Sequence, residues 1–186
     1  MDQVRLVGRN EQTQMDLYVS VAHDLKAWSP DLTRLRPFVA LLAMDAETEQ
    51  GETLELLASD LMAAGCHYVC TWGPGCVWLH NVVDDVWIRE NPESAALLGR
   101  NWFPWEWARG RRAVRRRAQY DAYVTTTAHE DDSLDEALWF AVFNTYAEGH
   151  DLSSVLAVVS PQYAEHVERR FADSAGLNRD VVGDDP

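Results

Sequence analysis

Residues 37–45 read PFVALLAMD, a short and continuous apolar run that an aspartate ends. A run of this length that begins at a proline is typical of a strand buried on both faces, as in a parallel sheet. The next stretch has Leu54, Leu57 and Leu61 at helical spacing, and Gly65 predicts the end of that helix. A buried strand followed by an amphipathic helix is the repeating unit of an α/β sheet.

The same pairing of a strand with a helix recurs along the chain. Three further strands, rich in β-branched and aromatic side chains, are predicted at residues 66–72, 120–127 and 152–160. Helical patterns follow them at residues 76–87, 134–149 and 161–171. Four strands that alternate with four helices predict an α/β fold, a three-layer Rossmann-like or flavodoxin-like sandwich with a mainly parallel sheet of four to five strands.

One α/β domain is predicted over residues 37–177, since a chain of 186 residues has the usual length of a single domain. Residues 1–36 form an N-terminal extension, in which the alternation over residues 15–21 suggests an additional strand, with an antiparallel position at an edge as one option. An insertion rich in aromatic and arginine residues occupies about residues 91–119. Residues 178–186 form an acidic tail that we expect to be disordered.

The acidic composition limits the kinds of binding partner that the chain is expected to have. The chain has 30 Asp and Glu against 16 Lys and Arg, and its net charge of −14 disfavours binding to nucleic acid or to an anionic membrane. No run approaches the ~20 apolar residues that cross a bilayer, and the polar first residues do not resemble a signal peptide. Three cysteines in a chain of this length do not indicate a disulfide framework. We therefore expect a cytoplasmic protein with reduced thiols.

Ligands in open parallel sheets bind outside the carboxyl ends of the strands, where this sequence concentrates residues suited to binding. The ligand-binding residues predicted on this basis are Asp45, Trp72, Gly73, Gly75, Thr127 and Glu130. The hydroxyls, imidazole and carboxylates of residues 125–132 could hold a substrate, or Mg²⁺ with phosphate. The acids among them equally suit the first turn of a helix, with Ser133 and Glu136 as a capping box, and His129 is then left unexplained.

The sequence WGPGC at residues 72–76 suggests a reactive thiol. With Pro74 in the first helical turn, Cys76 lies where backbone donors and the helix dipole favour a thiolate. His80 and Asp84 follow at i+4 and i+8, so that one helical face would carry a nucleophile, a base and an orienting acid. A core position, where the thiol packs as a small hydrophobe, is the competing interpretation. The catalytic candidates are Cys76, His80 and His129.

No motif identifies a cofactor. The chain has no Gly-x-Gly-x-x-Gly after a strand, no P-loop and no Gly-x-Ser-x-Gly elbow, which argues against the usual dinucleotide binding, P-loop chemistry and an α/β-hydrolase. Cys76 and His80 could supply two ligands to a transition metal, and His129, Asp45 or Glu130 would have to complete the set. Because a closed site needs four ligands, we predict no metal site.

The insertion at residues 91–119 is too long for a plain connection. Six arginines fall within residues 109–117, after a run of tryptophans. The interaction residues predicted here are Trp102, Trp105, Trp107, Arg112, Arg115 and Arg116. A flap that clamps phosphate and stacks on a base, and a surface that docks a protein, are two functional interpretations. An amphipathic helix whose arginines pair with the chain's own acids is the structural alternative.

Two motifs resemble those of a small uncharacterised bacterial family of unknown function. The first is a Trp-Gly-x-x-Cys turn with a histidine four residues on, matched by Trp72, Gly73, Cys76 and His80. The second is a threonine-rich strand end with a histidine, matched by Thr126, Thr127 and His129. The resemblance covers about residues 37–148. It implies a bacterial cytosolic protein with its important residues at the strand ends, and it implies no reaction.

These features favour a binding or regulatory module with a ligand pocket at the strand ends and an aromatic and arginine-rich segment that faces a partner. The alternative is an enzyme that uses Cys76 with His80, or His129, on a small anionic or phosphate-bearing substrate, with metal assistance as an option. The expected partners are a small anionic ligand or a protein, and homo-oligomerisation is compatible with either. We expect neither sequence-specific binding to nucleic acid nor binding to a membrane.

Overall fold

The computed structural model describes residues 4–92, 124–147 and 149–183. Within these residues the chain forms six strands and five α-helices. The strands are β1 (Val4–Arg9), β2 (Asp16–Val21), β3 (Phe38–Ala43), β4 (Cys66–Trp72), β5 (Thr125–His129) and β6 (Ser154–Val159). The helices are α1 (Gly51–Ala63), α2 (Cys76–Glu90), α3 (Leu134–Phe143), α4 (Pro161–Ala172) and α5 (Ser174–Val182).

The six strands form one sheet in the order β1-β2-β6-β3-β4-β5. β1 is antiparallel to β2, and every other neighbouring pair is parallel. Helices cover both faces, which confirms a roughly Rossmann-like α/β fold with a mainly parallel sheet. The predicted number of four to five strands is wrong, because the chain before residue 37 adds two strands to the sheet.

β3 carries the core on both of its faces, as its unbroken apolar sequence predicts. All six of its side chains are buried. Phe38 and Leu42 face the first core, which is completed by α1, α2 and apolar residues of the segment 22–35. Val39 and Leu41 face the second core, on which α3, α4 and α5 pack. A strand covered on both sides needs no polar face, and this accounts for the absence of alternation in its sequence.

The alternating stretch over residues 15–21 forms β2, as the additional strand that the pattern predicts, but not in the antiparallel edge position that was one option for it. β2 lies between β1 and β6 and runs parallel to β6. The alternation misleads because the polar Ser20 is fully buried, where its hydroxyl accepts a hydrogen bond from Trp28 Nε1 at 2.9 Å. The antiparallel edge strand is β1, in which Leu6 is exposed and apolar residues do not alternate regularly.

Several predicted boundaries differ from those in the structure. α3 ends at Phe143, several residues before its predicted end, and β5 continues to His129. Residues 178–182, which we expected in a disordered tail, lie in α5. Asp173 caps this helix by accepting a hydrogen bond from Gly176 N at 2.9 Å, a contact typical of a helix N-terminus.

The aromatic and arginine-rich insertion lies outside the described residues, apart from residues 91 and 92. Its predicted interaction residues therefore stay predictions from sequence; they are Trp102, Trp105, Trp107, Arg112, Arg115 and Arg116. Among the helices within the described ranges, none combines the length and apolar content that a bilayer crossing requires.

We predict that Leu42→Ala destabilises the protein by about 2–5 kcal/mol, because Leu42 is fully buried and truncation leaves a cavity in the first core. Leu56→Ala is the matched control, since Leu56 on α1 is 60% exposed and its truncation should cost less than about 0.5 kcal/mol. Urea denaturation followed by circular dichroism measures both changes. Equal losses of stability in the two variants would contradict the assigned core.

Candidate functional site

The strand order reverses between β3 and β6. From β3 the chain passes through α1 to β4 and then through α2 to β5 on one side, whereas β6 lies on the other side of β3. α1 and α4 follow these two strands and pack on opposite faces of the sheet. In doubly wound sheets such a reversal leaves a crevice at the carboxyl ends, where ligands bind. Asp45 follows β3 and Ser160 follows β6, so both lie beside this crevice.

Four side chains from β4, β5, α4 and the β5–α3 connection meet at the carboxyl edge, on the face covered by α3 and α4. We call Trp72, His129, Asp132 and Tyr163 the carboxyl-edge cluster. The Trp72 and Tyr163 rings pack edge to face with centroids 5.1 Å apart. Trp72 Nε1 donates a hydrogen bond to the Asp132 carbonyl oxygen at 2.8 Å, and Trp72 pairs with His129 in the β4–β5 register. The indole is therefore held by contacts with α4 and with the β5–α3 connection.

His129 is oriented by a carboxylate. Its side chain is only 5% exposed, and its Nδ1 lies 2.6 Å from Asp132 Oδ2. A carboxylate oxygen accepts, so Nδ1 carries the proton of this hydrogen bond. Nε2 lies 3.3 Å from Thr127 Oγ1, and the ring packs edge-on against Phe140. Asp132, His129 and Thr127 thus form a short hydrogen-bonded chain from the surface into the second core.

Two members of this cluster are not singled out by the sequence. Asp132 counts only among the carboxylates of residues 125–132, which could hold a substrate or suit the first turn of the following helix, and Tyr163 has no predicted role. The spacing of His129 and Asp132 at i and i+3 across a strand end is a signal that could have suggested their contact. No comparable signal exists for Tyr163, because its meeting with Trp72 depends on where α4 packs.

Cys76 lies on the opposite face of the sheet from the carboxyl-edge cluster. It is the first residue of α2, and its side chain packs in the layer of α1 and α2 with only 3% exposed. Burial raises the pKa of the Cys76 thiol, and the negative charge of Glu130 raises it further, while backbone N–H groups act in the opposite sense. A catalytic thiol needs a lowered pKa and access to solvent, so burial and charge here favour the packing interpretation.

His80 lies one turn further along α2. Its Nε2 is 3.8 Å from Asp84 Oδ2, and Asp84 Oδ1 accepts a hydrogen bond from Thr126 Oγ1 at 2.6 Å. Thr126 and Thr127 are adjacent in β5 and point to opposite faces, so the sheet separates His80 from His129. The three catalytic candidates therefore do not form a single site in the structure.

The two glycines of the WGPGC turn allow this turn, which follows β4, to approach the connection that follows β3 closely. Gly73 has φ +107°, and a Cβ there would overlap the carbonyl oxygen of Met44. Gly75 has φ +72°, and a Cβ there would lie 2.9 Å from Glu47 Cγ. Ala46 N donates a hydrogen bond to the Pro74 carbonyl at 2.9 Å, which fastens the two connections together. Packing within the chain thus accounts for both glycines.

Carboxylates dominate the two connections that flank the cluster. The connection after β3 contains Asp45, Glu47 and Glu49, and the one after β5 contains Glu130, Asp131 and Asp132. Neither contains a lysine or an arginine. The Asp45 carboxylate accepts a hydrogen bond from Glu47 N at 3.2 Å, while Ser133 and Glu136 form the predicted capping box of α3. The edge therefore presents a negative electrostatic potential.

Metal ligands do not converge anywhere in the described part of the chain. Within it, no group of three or more His, Cys, Asp or Glu side chains is arranged to hold a metal ion. The three thiols are free and buried, and burial raises the pKa values of Cys66 and Cys70 to about 12. Thiolate ligation by these two cysteines would require a large cost in desolvation.

Comparison with known proteins yields one family. A family model described as "Domain of unknown function (DUF7684)" matches residues 17–173. No curated protein and no solved structure matches the chain. The matched range runs from β2 into α4 and its flanking residue, and it includes the whole carboxyl-edge cluster. The resemblance to an uncharacterised family of unknown function is confirmed, although the match does not test the two motifs.

We predict that Gly73→Ala destabilises the protein by about 2 kcal/mol more than Gly149→Ala does, as measured by urea denaturation. Both glycines have positive φ, so both variants incur the backbone cost of about 1–2 kcal/mol. Only at Gly73 would the added methyl group overlap another backbone atom, since nothing lies within 4 Å of a Cβ at Gly149. Equal losses of stability in the two variants would show that the close approach of Met44 is not the reason for glycine at position 73.

We further predict that iodoacetamide alkylates Cys76 in the folded protein at pH 7.5 at least about tenfold more slowly than it alkylates free cysteine. Its raised pKa leaves less thiolate at this pH, and its burial blocks access. Peptide mass spectrometry resolves the three cysteines, and the same reaction in urea shows that each can be alkylated. Alkylation of folded Cys76 at or above the rate of free cysteine would restore the nucleophile hypothesis.

Proposed function

The chain belongs to the DUF7684 family, and we propose that it is a binding or regulatory module whose ligand binds at the carboxyl edge of the sheet, against the carboxyl-edge cluster. The observation that carries this proposal is the fixed indole of Trp72, which Tyr163 and the Asp132 carbonyl hold beside the crevice between β3 and β6. A rigid aromatic surface next to a few convergent polar groups is the usual composition of a small-molecule site.

The start of α4 supplies polar groups to the same crevice. Ser160 N donates a hydrogen bond to the Ala43 carbonyl at 3.0 Å, which fixes the end of β6 against the end of β3. The Ser160 side chain makes no capping hydrogen bond to α4, so its hydroxyl remains available to a ligand. Tyr163 lies in the first turn of the same helix, and the aromatic and polar groups are therefore adjacent.

The charge of this edge favours a ligand without net negative charge. The acids that follow β3 and β5 would repel an anion. The charge of Glu130 acts in the same sense on the thiol of Cys76, whose pKa it raises in addition to the effect of burial. A planar neutral or cationic group can pack on Trp72 and Tyr163, whose ring faces attract cations. We thus propose a planar ligand of this kind in place of the small anionic ligand that the sequence alone suggests.

An enzyme remains the second candidate, because one observation favours it. The chain from Asp132 through His129 to Thr127 resembles the arrangement by which carboxylates orient catalytic histidines. In that case His129 would transfer a proton to or from the ligand bound at the carboxyl-edge cluster. The buried Cys76 and the separate His80 would take no part.

Three probes of equal shape and different charge test the proposal. Benzamidine, benzamide and benzoate are titrated into ¹⁵N-labelled protein, and the indole Nε1–H signal of Trp72 is followed by NMR. We expect the signals of Trp72 and of the amides of Ser160, Gln162 and Tyr163 to move with benzamidine and benzamide, and to move much less with benzoate. Trp72→Phe should weaken benzamidine binding by about threefold or more, because the smaller ring loses contact area.

Trp139→Phe is the matched control for this experiment. Trp139 lies on α3, where its Nε1 donates to Asn178 Oδ1 at 2.8 Å and its ring stacks with Phe143, away from the carboxyl-edge cluster. We expect this variant to bind the probes as the parent protein does. If none of the probes moves the Trp72 signal, the ligand site is wrong; if benzoate binds best, the argument from charge is wrong.

A further inference from the structure

Two histidines stack at the amino end of the sheet, opposite the carboxyl-edge cluster. His67 is the second residue of β4, and His150 lies in the connection between α3 and β6. Their ring centroids are 4.1 Å apart and their planes are inclined by 24°. The pair joins two segments that are distant in sequence, and it lies outside the site proposed above.

The connection that carries His150 is held at several points. Ser153 N donates to the Pro37 carbonyl at 2.9 Å, Ala147 is buried, and Leu152 packs against the second core. Gly149 and Asp151, on either side of His150, are exposed, and a Cβ at Gly149 would meet no atom within 4 Å. The stacked ring of His150 is thus a contact that holds the middle of this stretch on β4.

The surroundings of the pair disfavour a proton. His67 Nδ1 is buried, and no described residue hydrogen-bonds to it. Burial lowers the pKa of His67 from its ordinary value of 6.5, and the electrostatic interaction with His150 lowers it further. Two charged residues lie close to the pair: Asp151, next to His150 in sequence, is exposed, and the side chain of Arg36 packs over Gly65, two residues before His67.

We propose that the stack of His67 on His150 is a pH-sensitive histidine clasp, which holds the α3–β6 connection on β4 while His67 is neutral and releases it when His67 takes up a proton. A neutral His67 ring stacks on His150 without placing a charge in a buried setting. Protonation of His67 places a charge beside a buried nitrogen to which no described residue hydrogen-bonds.

The direction of the pH effect follows from linkage. A histidine whose folded pKa lies below 6.5 binds fewer protons in the closed form than in the open form. The clasp therefore contributes its full stability above pH 6.5, and this contribution is lost as the pH falls below that value. For one such histidine the opening equilibrium increases by up to about tenfold between pH 7.5 and pH 5.5.

Amide hydrogen exchange followed by NMR tests the clasp. After correction for intrinsic exchange rates, we expect protection at the hydrogen-bonded amides of His150 and Ser153 to fall by up to about tenfold between pH 7.5 and pH 5.5. The double variant His67→Phe/His150→Phe keeps two stacked rings that cannot titrate, so its protection should not depend on pH. Should the double variant fail to fold, His150→Phe alone is expected to reduce the fall in protection.

His166→Gln is the control, because His166 Nε2 pairs with Asp135 at 2.7 Å between α3 and α4 and not with the clasp. This variant should retain the pH dependence of the parent protein. The proposal is overturned if the parent protein shows no fall in protection at these amides, or if replacement of the clasp histidines by Phe leaves the fall unchanged.

Discussion

The pairing of β3 with β6 at the centre of the sheet is the constraint on which the remaining structure depends. Every side chain of both strands is buried, so helices must cover both faces of the sheet. The chain meets this demand by placing α1 and α2 on one face and α3, α4 and α5 on the other. The reversal of strand order between β3 and β6 then positions the crevice, and with it the residues that surround it.

At the carboxyl edge, the two sides of the sheet carry different groups of side chains. On the side of α3 and α4, Trp72 and His129 lie in a polar and aromatic setting with hydrogen-bond partners at the surface. On the side of α1 and α2, Cys76 is packed under a tight turn whose glycines touch the neighbouring connection. The side with Trp72 and His129 therefore presents fixed polar and aromatic groups at the surface. The side with Cys76 is closely packed, and the contacts of its turn fix the end of β4.

β4 links the two ends of the molecule that carry titratable or aromatic groups. His67 near its start stacks on the α3–β6 connection, and Trp72 at its end packs on α4. Between them the strand is buried and pairs with β3 and β5 on either side. Because β4 is paired on both sides, it fixes the position of His67 relative to Trp72, although the two residues contact different elements.

Much of the secondary structure could be predicted from sequence, because strand and helix patterns are local. The apolar run of residues 38–43 and the capping box at Ser133 report burial and hydrogen bonding within a few residues. The place of β2 inside the sheet could not be read in the same way, since its buried Ser20 depends on a hydrogen bond from Trp28. Likewise the sequence alone determined that polar and aromatic residues collect at strand ends. Only the tertiary structure decided that Trp72 meets Tyr163 and that Cys76 is buried at the start of α2, because such contacts depend on the packing of helices that are distant in sequence.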